Sequence, residues 1–65
     1  MASRTVFEDE NNNEMDCYLN DKGKVFIQVG ESGADIHEKG FITLDKSDVN
    51  ELIKMLSEIE KDMVD

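Results

Sequence analysis

The stretch MDCYLNDKGKVFIQV, residues 15–29, restricts the fold more than any other part of the chain. Apolar and polar side chains alternate on both sides of NDKG, the period of a half-buried strand. Asn20 to Gly23 suits a type I turn followed by a glycine in the left-handed region, which closes a hairpin with a bulge. With Asn20 paired to Lys24, Leu19 faces Val25, Cys17 faces Ile27 and Met15 faces Val29. Tyr18 then meets Phe26 on the opposite surface. A slip of one residue would scramble both faces, so this register alone is self-consistent.

A second signal lies further along, in KGFITLDKSDVNELIKMLSEIE. Phe41 to Leu44 alternates as a short strand. Asp45 has the form of a helix N-cap, with Asp48 in the reciprocal position of a capping box and Leu44 and Val49 as a hydrophobic staple. Beyond it Val49, Leu52, Ile53, Leu56, Ile59 and Met63 recur at helical spacing, which predicts a helix over residues 46–62 with one apolar stripe. Met55 falls beside the stripe. At about 100° per residue, Lys46, Lys54 and Lys61 share one flank, and Asp48, Glu51, Glu58 and Asp62 share the other flank or the back, with Asp65 beyond them. Ser3 to Phe7 suits a further strand. Residues 8–14 read as an acidic loop and Gly30 to Gly40 as a charged, glycine-bearing connection.

The chain has 65 residues, enough for a single domain spanning residues 1–65. Chains this short bury a small share of their surface and usually need a staple or an oligomer. Cys17 is the only cysteine, which rules out an intrachain disulfide and leaves no zinc pattern. Self-association is therefore the expected source of stability. Tyr18, Phe26 and Phe41, with Phe7 as a fourth candidate, point away from the helix, and the expected homodimer buries that aromatic face. No apolar run is long enough to span a bilayer, and the N-terminus lacks the order of a signal peptide, so a reducing cytoplasmic setting is expected.

Acidic residues outnumber basic ones 16 to 7, for a formal charge of -9. Such a field opposes nucleic acid and anionic membranes at long range. Catalytic chemistry is sparse. His37 stands in DIHE, where neighbouring carboxylates on one loop make a poor metal set, and it reads as a solvated loop histidine. Cys17, between Met15 and Leu19 on an apolar strand face, reads as a small hydrophobe. GESG lacks the lysine of a phosphate loop. No enzyme, metal or cofactor is expected.

The segments GKVFIQV and KGFITL running into a helix resemble the positive cofactor four family of transcriptional coactivators, over Lys22 to Glu60. The matching positions are Gly23, Lys24, Val25 and Ile27 in the strand and Lys39, Gly40, Ile42 and Leu44 before the helix. The resemblance implies a strand-rich domain with a C-terminal helix, dimerisation, and binding of single-stranded DNA. Members of that family hold the DNA backbone with basic residues on strands and loops. Here the connection carries Glu31, Asp35 and Glu38, and Glu8, Asp9 and Glu10 stand in place of a basic arm.

The resulting expectation is an α+β domain: a curved antiparallel sheet of three to four strands with one C-terminal helix packed on one face. Its function is expected to be non-enzymatic, an adaptor or inhibitor that binds a basic protein surface, in the manner of a nucleic-acid mimic. The expected contacts are Glu8, Asp9, Glu10, Glu14, Glu31, Asp35 and Glu38. The alternative is a dimeric single-stranded-nucleic-acid-binding regulator of the coactivator type.

Overall fold

A computed structural model describes residues 4–64. Four strands, β1 (Arg4–Glu8), β2 (Asn13–Leu19), β3 (Val25–Glu31) and β4 (Gly40–Leu44), form an antiparallel sheet in the order β1-β2-β3-β4. One helix, α1 (Lys46–Asp62), follows β4. The fold is α+β, an open meander with a C-terminal helix.

The central hairpin has the register its alternation predicts: Leu19 opposite Val25, Cys17 opposite Ile27, Met15 opposite Val29, and Tyr18 opposite Phe26. It extends beyond residues 15–29, because Asn13 and Glu14 pair with Glu31 and Gly30. The acidic loop is correspondingly shorter than residues 8–14: Glu8 ends β1, Glu14 lies within β2, and the two are cross-strand partners. At the tight turn the Asn20 amide donates to the Lys24 carbonyl at 2.8 Å, and Gly23 has φ 76°. A branched side chain disfavours that φ, so Gly23→Val is expected to cost roughly 1 kcal/mol or more. Chemical denaturation is the check, and an unchanged midpoint would contradict the turn.

One face of the sheet is aliphatic: Phe7 of β1, then Met15, Cys17 and Leu19, then Val25, Ile27 and Val29, then Ile42 and Leu44. Phe7 belongs here, opposite Met15, and not with the aromatic residues of the other face. The turn in EDENNNE decides this register, and its composition fits several turn lengths.

Helix α1 begins as its caps predict. The Asp45 carboxylate accepts from the Asp48 amide at 2.9 Å, and the Asp48 carboxylate accepts from the Asp45 amide at 3.3 Å. That hydrogen bond to the Asp48 amide holds the Asp45 carboxyl below its usual pKa. Leu44 and Val49, the staple pair, line one recess with Leu19 and Val25 on the aliphatic face. The helix touches the sheet only through its first turns. Val49 and Leu52 are half-buried, and every residue from Ile53 to the end of the helix is exposed. Met55, beside the stripe, lines a groove with Ile42, Leu44 and Leu52. The expected cover over the whole aliphatic face is therefore only begun within one chain, and no apolar residue among those described is buried.

Candidate interaction surface

The meander places the β1–β2 turn and the β3–β4 connection at the same end of the sheet. A backbone hydrogen bond from the Ser32 amide to the Asn12 carbonyl, 2.8 Å, ties them together. All seven acids singled out in the sequence gather here: Glu8, Asp9, Glu10, Glu14, Glu31, Asp35 and Glu38. Residues more than twenty positions apart thus form one acidic pole.

These acids divide by what their oxygens already do. Asp9 shapes its own turn, accepting from the amides of Asn11 at 3.0 Å and Asn13 at 2.8 Å while Asn12 takes φ 66°. The Asn13 amide is the main reason the Asp9 carboxyl lies below its ordinary pKa. Asp35 caps a short 3-10 turn over Ile36–Glu38, accepting from the His37 amide at 3.1 Å. Glu38 returns a bond from the Asp35 amide at 3.3 Å, completing a capping box. Glu14 accepts from Lys39 Nζ at 3.0 Å and from Ser32 Oγ at 3.4 Å. Glu8, Glu10 and Glu31 are exposed, and their side chains engage no partner among the described residues.

The capping box in DIHE was legible as D-x-x-E spacing, the same pattern that opens α1. It orders a connection that otherwise reads as a flexible loop, and it turns Ile36 and His37 toward the sheet. There they line a groove of about 390 Å³ with Phe26, Gln28, Lys39 and Phe41.

That groove opens on the second sheet face, where the three aromatic residues form a row. Tyr18 and Phe26 have ring centroids 5.1 Å apart, and Phe26 stacks on Phe41 at 5.4 Å. Arg4 extends the row, with its guanidinium carbon 5.8 Å from the Tyr18 centroid. Sequence reasoning missed the partner of Arg4. Its guanidinium donates two 2.8 Å hydrogen bonds to the carboxylate of Asp16, the one buried residue among those described. This fork holds the Asp16 carboxyl below its ordinary pKa and raises that of Arg4. The pairing follows from Arg4 lying opposite Tyr18, so it becomes legible only once the β1 register is known.

Two cations along this face are held by acids. Arg4 pairs with Asp16 and Lys39 with Glu14, while Lys24 lies near enough to Asp45 to favour its ionised form. The basic flank expected on the helix is fully exposed, and Lys61 lies 3.6 Å from Glu58. Asp65, the last acid of that helix pattern, falls outside the described residues, as does Ser3 of the first strand.

Among the described residues, no three His, Cys, Asp or Glu side chains converge as a metal site. No helix among them is long and apolar enough to cross a membrane. Comparison with protein-family models, with curated proteins and with solved structures finds no match for the chain.

Proposed function

We propose that the chain is a non-enzymatic interaction protein whose acidic pole binds a lysine- and arginine-rich protein surface, as an adaptor or inhibitor. The observation that carries this reading is the difference between its two charged regions. At the pole, Glu8, Glu10 and Glu31 are exposed and uncompensated, at strand ends and a turn tied down by Asp9, Asp35 and the Ser32–Asn12 bond. On the aromatic face Arg4 and Lys39 are paired with Asp16 and Glu14. Carboxylates on a fixed frame compete well for side chains that are arranged to hold phosphates, because little ordering entropy is lost on binding.

The second reading, a single-stranded-nucleic-acid-binding regulator of the coactivator type, is favoured by one arrangement. The row Arg4, Tyr18, Phe26 and Phe41 has the form of a stacking platform beside Lys24 and Lys39. Phosphate binding there would have to displace Asp16 and Glu14 from their present partners. Binding of a basic partner at the acidic pole requires no such exchange.

Fluorescence anisotropy separates the two readings. A labelled lysine/arginine-rich peptide is expected to bind, with affinity falling as salt rises. The triple variant Glu8→Lys, Glu10→Lys, Glu31→Lys should weaken that binding by about tenfold or more, since it reverses the free charges of the pole. A labelled single-stranded oligonucleotide should show no appreciable binding at physiological salt. Sub-micromolar oligonucleotide binding, weakened by Lys24→Glu or Lys39→Glu, would reverse the choice.

A further inference from the structure

We infer that the aliphatic sheet face and the stripe of α1 are covered by a second copy of this chain, and that this contact supplies the hydrophobic core each chain lacks alone. The inference rests on the fold and is independent of what the acidic pole binds.

The first observation is an excess of surface. The chain exposes 5666 Å², whereas a compact monomer of its 7.4 kDa exposes about 4,200 Å². The excess is roughly 1,500 Å² per chain, or roughly 2,900 Å² for a pair, which lies within the range of obligate homodimer interfaces. A typical monomer buries that area internally.

The second observation is where the apolar surface lies. On the sheet, Phe7 is 55% exposed and Ile42 55%; on the helix, Leu56 is 53% exposed and Ile59 49%. These values describe side chains that point toward a missing layer, in the direction where Val49 and Leu52 have begun to cover the sheet. The aromatic face has fewer exposed apolar side chains, although Phe41 is itself 69% exposed. Tyr18 and Phe26 are half-buried by each other, by Phe41 and by Arg4. The sequence points to an interface at Tyr18, Phe26 and Phe41; the greater number of exposed apolar side chains on the opposite side of the sheet and on the helix favours that side instead.

The third observation is charge. Apart from Glu31, which alternates with Val29 opposite Asn13 at the pole end, the aliphatic face of the four strands carries no ionisable group except the Cys17 thiol. A chain carrying -9 repels its own copies in general. Over most of the aliphatic face two copies meet without opposing like charges. A two-fold arrangement suits it, because a sheet face and a helix stripe on one chain are complementary to the same pair on another. Both acidic poles and both aromatic faces stay outside.

Sedimentation velocity at micromolar concentration should give a particle of about twice the 7.4 kDa chain mass. The unfolding midpoint should rise with protein concentration, as mass action requires when folding and association are coupled. Cys17, on the covered face, reports the contact directly: its reaction with Ellman's reagent should slow severalfold as concentration rises through the association range. Leu56→Glu with Ile59→Glu should remove the dimer, whereas Phe41→Glu should leave it intact. A wild-type monomer with a concentration-independent midpoint would overturn the inference. So would a dimer in which Cys17 stays fully reactive and which Phe41→Glu, but not the helix variant, dissociates.

Discussion

Gly30→Ala is expected to lower the unfolding midpoint by about 10 °C, from a destabilisation of roughly 2 kcal/mol caused by overpacking. Gly30 sits in β3 directly beneath the stem of Lys39. A Cβ there would collide with Lys39 Cγ, and would lie 3.0 Å from its Cβ and 3.2 Å from its Cδ. Those atoms are close to the backbone and cannot swing aside freely. Their position is fixed further by the hydrogen bond from Lys39 Nζ to Glu14, whose partners are only 11% and 20% exposed. The added methyl therefore displaces Lys39 and opens the contact that joins the β3–β4 connection to β2. Truncating the obstacle tests the cause: in a Lys39→Ala background most of the penalty should vanish, because Cγ and Cδ are gone. Thermal unfolding of the four proteins forms a double-mutant cycle. Equal penalties in both backgrounds would place the strain elsewhere.

Acidification should unfold the protein through a small set of aspartates. Asp16, Asp45 and Asp9 have pKa values lowered in the folded state, by the Arg4 side chain, the Asp48 amide and the Asn13 amide respectively. A depressed folded value means that the unfolded chain binds protons more readily. The stabilisation is complete above the unfolded aspartate value of about 4, and is lost as pH falls through the folded values. Asp16→Asn isolates the buried member of the set. It should be markedly less stable than the parent at pH 7. The gap should narrow as the pH falls below the unfolded aspartate value of about 4 and through the lowered value of the folded state, where the parent's carboxylate also takes up its proton. General repulsion within this acidic chain changes almost equally in both proteins and cancels in the difference. Urea unfolding across that range is the measurement. A gap that persists unchanged would show that Asp16 acts through its shape and not its charge.

The parts of the fold that could be read from residues are those governed by local rules. The β2–β3 register was fixed twice, by alternation in both strands and by the Asn20 to Gly23 turn, and the two requirements agree. The ends of α1 follow from Asp45 and Asp48, which satisfy orphaned amides whatever the helix packs against. Less local features were harder to read. Phe7 changed faces because its position depends on the turn geometry of Asp9 and Asn12, which composition does not fix. The acidic residues were recognisable individually, but their convergence depends on Ser32 meeting Asn12 across a distance no sequence motif marks. Asp16 reads as an ordinary polar strand position until Arg4 is placed above it.

The stripe of α1 shows the same limit in another form. Periodicity establishes that Leu56, Ile59 and Met63 require an apolar partner, but it carries no information on which chain provides it. Within one chain the helix reaches the sheet only as far as Leu52. An acidic pole carried on a dimer would also be presented twice, so a partner with two basic sites would gain from bivalent attachment.

Isotope-filtered NOE spectroscopy on a mixture of labelled and unlabelled chains tests the missing layer most directly, because it detects only contacts between copies. Intermolecular NOEs are expected to the methyl groups of Ile27, Ile42, Leu56 and Ile59, with none to the rings of Tyr18, Phe26 and Phe41. NOEs confined to those rings, or no intermolecular NOEs from a chain that tumbles as a monomer, would contradict the account.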